Sequence, residues 1–134
     1  GHCMNAVECI KTRRSVRKFT DEMVSVDTVR EIVELASYAP SWKNTQVIRY
    51  TLVEDPEIIA KIAAEGVMNF PLNQKTVSRA KQLMIVTKKD DAKVGEIVGI
   101  PDGQTVAAVV AMGYPAFAPE MPPRKSVDDL LTVK

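Results

Sequence analysis

An α+β fold is what this sequence predicts, on three observations. Residues 25–40 and 55–66 repeat apolar side chains at helical spacing, with Val29, Ile32, Val33 and Ala36 in the first stretch and Ile58, Ile59, Ile62 and Ala63 in the second. Residues 47–53, 82–87 and 106–113 have the β-branched or continuously apolar content of strands. A chain of 134 residues is long enough for one hydrophobic core but not for two, so residues 1–134 are expected to form a single domain.

Taken in order, Ala6, Val7 and Ile10 suit a short amphipathic helix over residues 5–14, which delivers the cationic run Arg13-Arg14-Ser15-Val16-Arg17-Lys18-Phe19 at its C-terminal end. Thr20-Asp21-Glu22 reads as a turn. Ser25 or Asp27 can cap the next helix and Pro40 ends it. The polar loop Ala39-Pro40-Ser41-Trp42-Lys43-Asn44-Thr45-Gln46 then leads into the first strand. Asp55-Pro56 opens another helix with proline in its favoured first position, and Gly66 stops it. Residues 67–76 read as irregular and amide-rich. After the second strand come a charged connector over 88–93, about one helical turn over 94–98, a turn over 99–103 and the apolar strand 106–113, expected to be a core element. The remainder is proline-rich and carries a second cationic pair, Arg124-Lys125.

Composition excludes several classes of function. With 18 basic and 17 acidic residues the net charge is only +1, too balanced for a protein that lives on nucleic-acid backbone. Hydrophobic content of 46% and charged content of 26% suit a soluble globular protein, and no apolar run approaches the roughly eighteen residues needed to cross a bilayer. Cys3 and Cys9, with no secretory signal before them, read as reduced thiols of a cytoplasmic protein. Gly1-His2 ahead of Cys3-Met4 reads as a remnant of tag cleavage within residues 1–3, and His2 is the chain's one histidine. Without a native imidazole, nucleophilic hydrolysis and zinc chemistry are poor candidates, and a reaction run here is expected to belong to a cofactor. No glycine-rich nucleotide loop or internal repeat is present.

Two stretches carry chemistry. Arginine forks match phosphate oxygens in pairs and Ser15 can add a hydroxyl bond, so the run from Arg13 to Lys18 suits one phosphate dianion; a solvated basic face is the bland alternative. Asn44 and Gln46 carry amides that both donate and accept, as the edge of a heterocycle demands, beside the flat surface of Trp42; turn capping and simple packing are the alternatives.

Together, Arg13-Arg14-Ser15-Val16-Arg17-Lys18-Phe19, Ala39-Pro40-Ser41 through Asn44-Thr45-Gln46, Gly99-Ile100-Pro101 with Gly113-Tyr114-Pro115, and Arg124-Lys125-Ser126 resemble the nitroreductase family of FMN-dependent oxidoreductases. The resemblance implies an α+β sandwich, with a mostly antiparallel sheet flanked by helices, that forms an intertwined homodimer. FMN would sit in the subunit interface and take electrons from NADH or NADPH. It also implies that Arg13, Arg14, Ser15 and Arg17 surround the FMN phosphate and ribityl chain, closed from the other end of the chain by Arg124 and Lys125. Pro40, Ser41, Asn44 and Gln46 would reach the flavin from the partner subunit, and Asn73 would hydrogen-bond its ring. No side-chain acid or base, and no metal, is expected.

The resemblance breaks after residue 87, where members of the family carry a long run of core helices and this chain has a short charged connector. A chain truncated in this way leaves the strand 106–112 short of cover and is expected to dimerise or swap elements to bury it. Two other readings stand beside the flavoenzyme. One is a non-catalytic flavin- or anion-binding homodimer that has lost the reactive segment. The other is an anion- or RNA-binding module, disfavoured by an aromatic content of 5%.

Overall fold

The computed structural model describes residues 3–66, 71–89 and 104–134. The helical turn expected over 94–98 and the turn over 99–103 lie outside these residues. The chain divides into two compact units, one made of the N-terminal stretch through Val16 together with Ala118–Lys134, the other of Arg17–Phe117.

In the terminal unit, helix α1 (Ala6–Thr12) starts at a complete capping box. The Asn5 Oδ1 accepts from the Glu8 amide at 2.9 Å, and the Glu8 carboxylate accepts from the Asn5 amide at 3.1 Å, so two otherwise unpaired helix donors are satisfied reciprocally. The amphipathic spacing is there, yet no residue of α1 is buried, and Ile10 is 77% exposed. Helix α5 (Val127–Leu130) has Ser126 as its N-cap and Asp128 and Asp129 in its first turn, where carboxylates suit the helix dipole.

The central unit is a three-stranded antiparallel sheet between helices. Strands β1 (Ile48–Val53), β2 (Gln82–Lys89) and β3 (Gln104–Met112) lie in the order β1-β2-β3, with Leu52 opposite Met84 and Met84 opposite Val110. The ladder between β2 and β3 is irregular between Val86 and Thr87. Alternation along β2 sends Leu83 and Ile85 to one face and Met84 to the other.

Leu83 and Ile85 meet helix α3 (Pro56–Lys61), which continues as a π-helical turn over Ile62–Gly66, and helix α4 (Pro71–Arg79). Val53, Ile59, Ile62, Ala63, Val77 and Ala80 complete that core, and each fully buried Val, Leu or Ile side chain contributes about 1.5–3 kcal/mol. Helix α2 (Val26–Ala36), N-capped by Ser25, covers part of the opposite face with Val29 buried.

Two sequence expectations need correction here. Residues 67–76 read as irregular, but α4 begins at Pro71. Asn73 is exposed, Gln74 is half-buried with its Nε2 donating to the Ala64 carbonyl at 3.4 Å, and only Val77 and the following Ala80 enter the core, so its apolar content is too thin to announce a helix. Strand β3 was expected to be a core element, yet it is an edge strand. Val106, Val109 and Ala111 pack against the core, while Val110 is 47% exposed on the α2 face. An edge position removes one neighbouring strand, and no residue of β3 lines the cavity between α2 and the sheet.

Two devices tie the rest of this unit to the sheet. Gln82, fully buried, accepts from the Val24 amide at 2.8 Å and donates to the Val24 carbonyl at 2.8 Å and to Glu54 at 3.0 Å. Phe19 bridges to Pro115, with the Thr20 amide donating to Tyr114 and the Ala116 amide donating to Lys18. Gly113 makes that approach feasible, because a Cβ there would stand 2.9 Å from the Phe19 ring.

Candidate functional site

The cationic run crosses the boundary between the two units. Arg13, Arg14 and Ser15, with Arg124 and Lys125 from the far end of the chain, belong to the terminal unit, and Arg17 belongs to the central one. Arg13, Ser15, Arg17, Arg124 and Lys125 are exposed. Arg14 is half-buried, and its Nη1 donates to the Lys11 and Arg13 carbonyls at 2.9 Å each. That guanidinium thus closes the C-terminal end of α1, where cations are favoured, and still has its Nε and Nη2 donors for an anion.

The polar loop after α2 is the strained part of the central unit. Lys43, Asn44 and Gln46 have φ of 51, 54 and 47°, the positive-φ non-glycine residues among those described. Left-handed backbone costs an L-residue roughly 1–2 kcal/mol, less for asparagine, and persists only where the surroundings enforce it. Enforcement here is visible. The Ser41 carbonyl accepts from the Asn44 amide and the Ser41 Oγ accepts from the Gln46 amide, both at 3.0 Å. The Gln46 carbonyl accepts from Arg49 Nη1 at 2.7 Å.

Under this loop lies a cavity of about 180 Å³ lined by Pro40, Ser41 and Gln46 with Ser37, Arg49 and Tyr50. Three of the residues expected to meet a cofactor are therefore brought together. Asn44 shares their loop without lining the cavity. Asn73 sits on α4, in the helical layer of the opposite sheet face, and does not join them. A second, wider cavity of about 620 Å³ shares Ser37, Ile48, Arg49 and Tyr50 with the first and runs between α2 and the sheet over Val33, Leu52 and Met84. Sequence reasoning missed Ser37, Arg49 and Tyr50. Arg49 and Tyr50 carry no signal beyond lying in a strand, and Ser37 lies past the last apolar turn of α2.

The donors suit a flavin mononucleotide. Guanidinium and hydroxyl groups match its phosphate, and the amide of Gln46 and hydroxyl of Ser41, beside a cavity with an apolar wall, match the edge of a polar aromatic ring. Among the described residues no cluster of His, Cys, Asp or Glu could hold a metal ion, and no helix is long and apolar enough to cross a membrane.

An antiparallel sheet with helices on both faces and a strained loop over a cavity defines a small layered α+β protein. The family can be stated as well. A model described as the nitroreductase family matches residues 10–88, more than half of the chain, so this chain belongs to the nitroreductase family.

A stretch of 59 residues is 36% identical to an Archaeoglobus fulgidus protein provisionally named NADH dehydrogenase/NAD(P)H nitroreductase, and covers 42% of this chain and 34% of that one. The chain thus matches about a third of that relative's length. YfhC of Bacillus subtilis is 24% identical over 181 residues, covering 93% of this chain and 92% of YfhC. Because that alignment is longer than this chain, it contains YfhC residues without a counterpart here. The solved structure of the FMN- and NADPH-dependent nitroreductase NfnB has a TM-score of 0.77 at 17% identity, covering 98% of this chain and 99% of that one, which establishes the shared fold.

Proposed function

We propose that this protein is an FMN-dependent NAD(P)H oxidoreductase of nitroreductase type. The observation that carries the reading is the family match over residues 10–88, a span that holds every expected cofactor contact except Arg124 and Lys125. NfnB, of the same fold, is described as FMN- and NADPH-dependent, which supports the same cofactor and electron donor here.

In this reading Arg13, Arg14, Ser15 and Arg17 bind the phosphate and ribityl chain, with Arg124 and Lys125 closing on the phosphate. Pro40, Ser41, Asn44 and Gln46 meet the ring from the partner subunit of a homodimer, and Asn73 donates to it. When bound, the flavin supplies the hydride chemistry, taking a hydride from NADH or NADPH and passing reducing equivalents to a small acceptor such as a nitroaromatic or quinone. The chain's own residues orient both stacked partners and place hydrogen-bond donors where negative charge develops on the reduced ring. No side chain needs to move a proton. Cytoplasmic placement accords with this use of reduced nicotinamide.

A second reading is favoured by the YfhC residues that this chain lacks: a flavin- or anion-binding homodimer without turnover. We place the missing block after Thr87, close to where the family match ends at residue 88. Titrating the purified protein with FMN, then with NADH and NADPH in the presence of nitrobenzene or a quinone, separates the readings. Flavin bands that bleach on adding reduced nicotinamide and return with acceptor support the enzyme. Bound flavin that never bleaches supports the second reading, and failure to bind flavin overturns the enzyme and leaves the second reading only its anion-binding form.

A further inference from the structure

We infer that Arg49 is a positioning residue that holds the loop between Pro40 and Gln46 in its ligand-ready shape, an inference that rests on the flavin reading above. The loop reverses direction through left-handed backbone at Lys43, Asn44 and Gln46, with no glycine to make that conformation easy. This leaves the Gln46 carbonyl without a regular helical or ladder partner. Arg49, three residues on and at the start of β1, returns its side chain to that carbonyl. Its Nη1 donates at 2.7 Å to Gln46 and at 2.9 Å to Ile48. One charged group thus fastens the left-handed end of the loop to the edge of the sheet with charge-assisted bonds, the stronger kind.

The geometry favours positioning over direct contact. The same Nη1 makes both bonds, so the guanidinium is oriented by the backbone it holds. The Ser41 Oγ braces the loop from its other end by accepting from the Gln46 amide at 3.0 Å. Arg49 and Ser41 therefore converge on the two backbone polar groups of Gln46, and Gln46 and Ser41 both line the cavity under the loop. Releasing the Gln46 carbonyl lets the strained residues relax toward ordinary φ values, which would carry the Gln46 and Asn44 amides away from a bound ring. Lysine has donors and reach for the same carbonyls, but methionine has none.

The test compares wild type, Arg49→Met and Arg49→Lys by titration with FMN and with riboflavin, which lacks the phosphate. Acrylamide quenching of Trp42, the one tryptophan, whose backbone lies in this loop, is measured in the flavin-free proteins. Arg49→Met is expected to bind FMN and riboflavin about tenfold more weakly each, the scale of one charge-assisted hydrogen bond, with altered quenching. Arg49→Lys should restore most of both, and urea midpoints should stay near wild type. Weakening confined to FMN means direct phosphate contact and overturns the positioning role, as does unchanged affinity for both flavins with unchanged quenching. If wild type binds neither flavin, the flavin reading fails. The quenching comparison then still decides whether Arg49 holds the loop.

Discussion

Arg17 and Arg124 stand far apart in sequence, at opposite ends of the residues proposed to meet the cofactor, and both are exposed. Exposed guanidinium groups contribute little to folding, so removing them tests binding almost without a stability cost. A hydrogen bond to a charged group contributes about 1.5–3 kcal/mol, and about 1.4 kcal/mol is a factor of ten in affinity. The double variant Arg17→Ala with Arg124→Ala is therefore expected to weaken FMN at least roughly 100-fold by fluorescence titration. Riboflavin affinity should hardly change. Unchanged FMN affinity would remove both residues from the phosphate site. Arg14 is a poorer probe, because its bonds to the Lys11 and Arg13 carbonyls make alanine there an attack on the end of α1 as well.

Among the elements, β2 is the one on which the central unit depends, and Gln82 shows why. A glutamine with no exposed surface is stabilising only because its amide meets the Val24 amide, the Val24 carbonyl and Glu54. Gln82→Leu keeps the volume but leaves partly buried backbone groups unpaired, so a loss of about 2–3 kcal/mol in urea unfolding, at unchanged m-value, is expected. A midpoint equal to wild type would show that water satisfies those groups. Nothing in the local sequence marks this tie, since its partners lie 58 and 28 residues away. What was legible followed from local rules. Ser25, Asp55 and Pro56 announce helix starts through their side-chain chemistry, and the β-branched or continuously apolar content of β1 and β2 announces strands. What was not legible depended on tertiary cover: α4, which buries only Val77, the π-helical turn after Lys61, and the exposure of β3. At the site, the amide of Gln46 marked it by type, whereas Pro40 and Ser41, which line the same cavity, were named only through the family resemblance. Arg49 was not legible, because its bonds exist only once Gln46 turns left-handed.

On the scale of the whole chain, the central sheet is covered unequally. Helices α3 and α4 bury one face, whereas on the other α2 shares a cavity with Leu52 and Met84, and Ile48 and Val110 are substantially exposed. Their neighbour Ala108 is exposed as well, so apolar side chains of β3 meet water side by side. In YfhC the longer chain has additional residues to draw on, but this chain does not. An apolar sheet face left exposed among the described residues suits a docking surface, and a second copy related by two-fold symmetry is the simplest proposed occupant. A stable pair needs about 1,200–2,000 Å² of total buried surface, more than one strand face supplies, so exposed apolar residues elsewhere in the central unit, such as Leu35, are expected to take part. Sedimentation equilibrium should therefore give twice the 14.8 kDa of one chain. Val110→Lys places a charge on the exposed face without touching the α3–α4 core, and it should shift the distribution toward monomer while far-UV circular dichroism is retained. A wild-type monomer at tens of micromolar would mean that this face tolerates water. A dimer indifferent to Val110→Lys would move the interface off β3 and onto another exposed apolar surface, with α1, none of whose residues is buried, the next element to mutate.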